Sequence, residues 1–171
     1  MMTHRVFGIT GWKNSGKTTL TERLVTELTG RGWKVSTIKH AHHDFDIDKP
    51  GTDSFRHREA GASEVAIVSG RRWALMHELR GEDEPTLDEV LGRIAPCDMV
   101  LVEGYKREGH LKIEARRIEA KDRAPLAPND PSIVAVAADH QVEGENVPVF
   151  GIDDIRAIAD FIEQRLGLAK H

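Results

Sequence analysis

The segment Gly11-Trp12-Lys13-Asn14-Ser15-Gly16-Lys17-Thr18 reads G-x-x-x-x-G-K-[ST], and its two flanks restrict what can be built around it. Before it, Arg5–Thr10 is a brief apolar run, the mark of a buried strand. After it, Leu20, Leu24, Val25 and Leu28 fall on one helical face, with Gly30 and Gly32 as stop signals. Strand, glycine loop and helix in that order describe a phosphate-binding P-loop. Glycines are needed at 11 and 16 because the backbone must wrap tightly enough to aim successive N–H groups at phosphate oxygens. The helix that starts at the loop adds free N–H groups and a partial positive charge. Lys17 then reaches the terminal phosphates and the Thr18 hydroxyl ligates Mg²⁺. Asn14, Ser15 and Thr19 complete the phosphate-binding segment. Lys13 stands one position off the signature lysine of the deviant P-loop ATPases, whose place Trp12 takes, so it reads as an extra phosphate-side or surface cation.

The rest of the chain repeats the strand-and-helix alternation. Trp33–Lys39 reads as a second strand, and Thr52–Ala60 as a short helix closed by Gly61. Residues 64–68 and 73–76 are β-prone and only four residues apart, a gap that permits an antiparallel hairpin alone. Thr86-Leu87-Asp88-Glu89 has capping-box spacing ahead of an inward stripe of Leu87, Val90, Leu91 and Ile94. Met99–Val102 is apolar without alternation, as in a parallel sheet covered on both faces. Ile113–Ile118 reads as an edge strand, and residues 133–137 and 147–150 as further strands. The C-terminal helix carries the stripe Ile155, Ile158, Ala159, Ile162 and Leu166, capped by Asp153 or Asp154. The pattern predicts an α/β fold: a P-loop NTPase, mostly parallel sheet flanked by helices, with an antiparallel β-hairpin extension.

At 171 residues and 39% hydrophobic content the chain supports one core, so residues 1–171 are expected to form a single nucleotide-binding domain. A net charge of −4, with both signs interspersed, argues against a nucleic-acid partner. The single cysteine, Cys97, and an opening Met1-Met2-Thr3 without a signal-peptide pattern point to a cytoplasmic protein. No run approaches the roughly 18 apolar residues of a membrane-spanning helix.

Phosphate-bound Mg²⁺ also needs a carboxylate at the end of a neighbouring strand, and Glu103, directly after Met99–Val102, is assigned that role. Asp98, at the far end of the same strand, is structural. The stretch His40–Asp48 concentrates histidines and aspartates. It reads as a loop sensing the γ-phosphate or Mg²⁺, as a solvated surface loop, or as a transition-metal site; Asp46 and Asp48 are its Mg²⁺-side candidates. Lys106, Arg107, His110 and Lys112 follow Glu103-Gly104, either facing a second anionic ligand or forming a solvated surface. Asp139, at a strand end, accepts hydrogen bonds from a guanine base or simply terminates the strand. No residue stands out as an activated nucleophile or general base.

Three segments together, Gly11–Leu20, then Ile38-Lys39-His40 with His43–Ser54, and Val102-Glu103-Gly104-Tyr105-Lys106, resemble the molybdopterin-guanine dinucleotide biosynthesis adaptor family. The resemblance implies a GTP-binding homodimer that assists the guanylyltransferase of the molybdenum cofactor, with weak GTPase activity at most. It also implies contact with molybdopterin or a molybdoenzyme maturation complex, and a hairpin around Ser69–Arg72 similar to the family's dimerising β extension. The alternatives are a metal-delivery GTPase, whose histidine-rich tail is missing, and a small-molecule kinase, which needs an arginine-bearing lid.

Overall fold

A computed structural model describes residues 4–42 and 44–168, so His43 and the opening Met1-Met2-Thr3 lie outside it. Two compact units form, one from the chain up to His40 and from Leu91 onward, the other from Ala41–Val90.

The larger unit is built on β1 (Val6–Thr10), α1 (Lys17–Gly30), β2 (Val35–Lys39), β5 (Met99–Glu103), β6 (Lys112–Arg116), β7 (Ile133–Ala138), β8 (Val149–Gly151) and α4 (Ile155–Arg165). Its six strands run in the order β2-β5-β1-β6-β7-β8, with every pairing parallel. The register sets Ile9 and Lys39 on either side of Glu103, so the ends of three strands meet where β1 enters the glycine loop. All five residues of β5 are buried, as its unbroken apolar sequence requires. Phe7, Ile9, Leu101 and Ile113 pack under Leu20, Leu24 and Leu28 of α1 and Ile158 and Ile162 of α4. Trp33 fastens the two helices by donating Nε1–H to Glu163 at 2.6 Å, while Arg31 pairs with Glu27, Asp160 and Glu163.

Two expectations are corrected. The strand expected at the sheet edge, Ile113–Ile118, is instead β6, an interior strand between β1 and β7. Its charges are tolerated because each is paired inside the protein, with only Arg116 Nε among their buried polar atoms left without a partner. Lys112, fully buried, donates to Ser132 Oγ at 2.6 Å and to the Glu108 carbonyl. Glu114 accepts the Leu126 and Ala127 N–H groups at 3.0 and 2.9 Å, and Arg116 spans Glu114 and Glu145. The cap expected on α4 is also absent as a side-chain bond. Asp154 holds the N-cap position without one, and Asp153 pairs with Arg23.

Gly8 is required by packing, since a β-carbon there would lie 2.5 Å from His110 Nε2 and 2.9 Å from Lys112 Cγ. Both ring nitrogens of His110 are buried without a partner. Burial, reinforced by the Lys112 charge and opposed by Asp130, pushes His110 down from 6.5 to about 4. The unfolded chain therefore takes up a proton as pH falls below about 6.5, while the folded protein does so only near 4. Stability is expected to decline across that window, and His110→Gln to flatten this part of the profile in urea titrations from pH 7 to pH 4.

The smaller unit holds α2 (Asp53–Glu59), the antiparallel pair β3 (Glu64–Val68) and β4 (Trp73–His77), and the start of the short α3 (Leu87–Leu91). The capping box forms as its spacing predicts: Thr86 N–H donates to Glu89 Oε2 at 2.8 Å, and Glu89 N–H to Thr86 Oγ1 at 3.3 Å. The expected inward stripe is reduced, because only Leu87 of α3 is buried. On the hairpin, Val65 and Met76 are buried whereas Val68, Trp73 and Leu75 are exposed.

Candidate functional site

The loop between β1 and α1 has the conformation that its glycines make possible. Gly11 and Gly16 have φ of 142° and 92°, and Asn14, a residue that tolerates the left-handed region, has φ of 61°. Side chains are excluded at both glycines. A β-carbon on Gly11 would lie 2.4 Å from Ser15 Oγ and 2.6 Å from the Ala115 carbonyl; one on Gly16 would lie 2.8 Å from Arg117 Nε. Helix α1 begins at Lys17 with no side-chain cap, and its first backbone bond runs from Leu20 N–H to Gly16. Ser15 N–H donates to the Trp12 carbonyl at 3.2 Å, and the N–H groups of the first helical turn, which precede that bond, face the mouth of the loop. Ser15 is 2% exposed, and its buried hydroxyl has no hydrogen-bond partner.

Lys17 and Thr18 meet the end of β5. The Thr18 hydroxyl donates to Glu103 Oε1 at 2.8 Å across 85 residues of sequence. Adjacent oxygens around an octahedral Mg²⁺ lie about 2.9 Å apart, so this pair already has the spacing of two neighbouring ligands. Lys39 approaches the same carboxylate at 3.8 Å. Lys17 Nζ donates to the Gly11 and Trp12 carbonyls at 2.9 and 2.7 Å, curled onto its own loop. Burial first, then the charges of Lys106 and Lys39, hold its ammonium below the ordinary lysine range, with Glu103 opposing. Lys17 and Lys39 thus flank one carboxylate, and Lys106 is near enough to Lys17 to repel its charge, a surplus of positive charge suited to a polyphosphate.

On the other flank of the loop lies a shallow open cleft lined by Trp12, Ser15, Arg117, Asp122, Arg123 and His140. Trp12 Nε1 donates to the Ala124 carbonyl at 2.8 Å, tying the segment after β6 to the glycine loop. Sequence reasoning missed this flank. The available signal was the alternation of charged and apolar residues in Lys112–Arg116, which reads as an edge strand until its partners are known.

The remaining expected site residues fall as follows. Lys13 and Thr19 are exposed. Asp139, at the end of β7, accepts the Ile118 N–H at 2.9 Å and pairs with His140 at 2.8 Å, which makes it part of the local turn. Desolvation is outweighed by these hydrogen bonds and its carboxyl is held below the usual range. In the smaller unit, Arg58 binds Asp46 at 3.1 Å, Asp48 at 2.5 Å and Glu78 at 3.0 Å, so the Asp46 carboxylate is engaged in an ion-pair network. Asp98 is structural, its carboxylate accepting the Lys34 N–H at 2.7 Å. Among the described residues no three His, Cys, Asp or Glu side chains are grouped to hold a metal ion, and no helix is long and apolar enough to cross a membrane.

A parallel sheet, a glycine loop opening onto a helix N-terminus, and a Thr–Glu pair at its mouth define a P-loop NTPase fold. Within that class, residues 6–139 match the model of the molybdopterin guanine dinucleotide synthesis protein B family, and the chain belongs to it. It is 40% identical over 153 residues to the molybdopterin-guanine dinucleotide biosynthesis adapter protein of Escherichia coli (strain K12), covering 88% of this chain and 87% of that one. It is 42% identical over 163 residues to the protein of the same name from Haemophilus influenzae, covering 94% and 89%. Among solved structures, the MobB homolog from Bacillus stearothermophilus superposes with a TM-score of 0.70 at 30% identity, covering 95% of this chain and 98% of that one.

Proposed function

We propose that this chain is an accessory protein of molybdenum cofactor biosynthesis that binds GTP with Mg²⁺ and presents it to the guanylyltransferase making molybdopterin guanine dinucleotide. The observation that carries the nucleotide reading is the 2.8 Å approach of Thr18 Oγ1 to Glu103 Oε1 beside Lys17. Gly11, Asn14, Ser15, Gly16 and Thr19 would supply the phosphate cradle, Lys17 the charge on the terminal phosphates, and Thr18 and Glu103 the metal ligands. Bound Mg²⁺ would neutralise phosphate charge and fix the orientation of the triphosphate. The unpartnered Ser15 hydroxyl and the steric exclusion at Gly11 and Gly16 fit such a ligand. The names carried by the Escherichia coli and Haemophilus influenzae relatives support the pathway and the adapter role.

The test is calorimetric titration with GTP and ATP in Mg²⁺, followed by addition to a guanylyltransferase reaction. GTP is expected to bind more tightly than ATP, and the protein to raise product yield. Rapid GTP hydrolysis by the protein alone would favour a self-sufficient enzyme instead.

A homodimer belongs to the same reading. Val68 and Trp73 face each other across the hairpin and are 75% and 70% exposed, an apolar face suited to a second copy. The double variant Val68→Asp, Trp73→Asp is expected to sediment as a monomer where the wild type sediments as a dimer. A cytoplasmic setting suits Cys97, which is a free thiol.

A further inference from the structure

Beyond Glu103 the chain turns through two consecutive left-handed residues, Gly104 with φ of 97° and Tyr105 with φ of 49°. A non-glycine residue keeps that conformation only where its surroundings impose it, and such strain gathers at functional sites. Here the constraints are visible. The Tyr105 ring lies 4.6 Å from that of His40, His40 N–H donates to the Glu103 carbonyl at 2.9 Å, and Gly104 N–H to the Ile9 carbonyl at 3.1 Å. A β-carbon on Gly104 would meet His40 Cβ at 3.1 Å, so the two segments are closely apposed.

The product of this turn is the placement of Lys106. Its Nζ sits 3.9 Å above the ring of Trp12, inside the phosphate loop, and Trp12 is itself pinned through Ala124. Among the described residues no carboxylate lies within ion-pair distance of Lys106. The charge is half-buried, offset at longer range by Asp122 and Glu114, and close enough to Lys17 to depress that ammonium. An aromatic face is a weaker partner for an ammonium than a phosphate oxygen, which makes the Trp12 ring a resting position that an arriving anion displaces.

We propose that Lys106 is a second phosphate-directed cation, parked on Trp12 in the nucleotide-free protein and transferred to the terminal phosphoryl group when a nucleoside triphosphate binds. The inference rests on the nucleotide reading of the loop and adds a specificity to it: discrimination of triphosphate from diphosphate. A purely structural Lys106, covering Trp12, would affect both ligands alike.

Calorimetric titration of Lys106→Met with Mg²⁺-GTP and Mg²⁺-GDP separates these cases. Loss of one charged hydrogen bond is expected to weaken GTP by about 10- to 100-fold and GDP by less than about threefold. Lys106→Arg is expected to keep the preference of the wild type. Equal weakening of both nucleotides, or no change in either, would overturn the role given to Lys106. Wild-type protein that bound neither nucleotide would remove the loop reading itself, a result independent of the Lys106 variants.

Discussion

Lys17→Ala is expected to lower affinity for a magnesium-bound triphosphate at least about 100-fold while leaving the melting temperature within about 3 °C of wild type. The two effects separate because of where the ammonium rests. In the ligand-free protein it donates to the Gly11 and Trp12 carbonyls, at a partly exposed position where water can take its place. Losing those bonds costs about 1 kcal/mol, and relief of its repulsion from Lys106 and Lys39 offsets part of that. With a triphosphate bound, the same side chain would face several negative charges, and alanine would leave them without that cation. Titration calorimetry beside thermal unfolding reads both quantities. Unchanged GTP affinity in a folded Lys17→Ala protein would end the P-loop assignment.

The glycine loop was legible in the sequence because its physics is local. Glycines at 11 and 16, a lysine and a threonine after them, and apolar runs on both sides specify strand, loop and helix without reference to the rest of the chain. The position of Glu103 was legible for a related reason: an unbroken apolar strand that ends in a carboxylate places that group at the C-terminal edge of a parallel sheet. Lys106 was visible as the end of one family-like segment and as one of several charges after Gly104, with no role of its own. What singles it out is the left-handed turn at Gly104 and Tyr105 and the distant Trp12 ring, neither of which follows from residue spacing. Asp46 likewise depends on a partner the sequence does not announce. An acidic side chain in a promising loop is engaged by Arg58, and a partner 12 residues away is not deducible from composition.

Strand β6 shows most clearly why tertiary partners decide. Lys-Ile-Glu-Ala-Arg alternates charge with small or apolar residues, a pattern that in isolation describes a strand with one wet face. Its interior position is stable only because later segments return to satisfy each charge, Asp130 and Ser132 for Lys112, the 126–127 backbone for Glu114, and Glu145 for Arg116.

Glu114 is the test of that account. The carboxylate is 1% exposed and fully committed, accepting two backbone N–H groups and pairing with Arg116 at 2.7 Å. Glu114→Ala would leave two part-buried backbone donors unmet and Arg116 with Glu145 as its remaining carboxylate. The expected cost is about 3–5 kcal/mol, or roughly 10 °C in melting temperature for a chain of this size. Glu119→Ala, at an exposed position just beyond the same strand, is expected to change stability by less than about 0.5 kcal/mol. Glu114→Gln should fall between them, since its amide oxygen still accepts from the loop while its NH₂ group opposes Arg116. Urea unfolding of the three variants measures the differences directly. If Glu114→Ala unfolded together with Glu119→Ala, the buried carboxylate would not be what holds the 126–127 segment against the interior of the sheet.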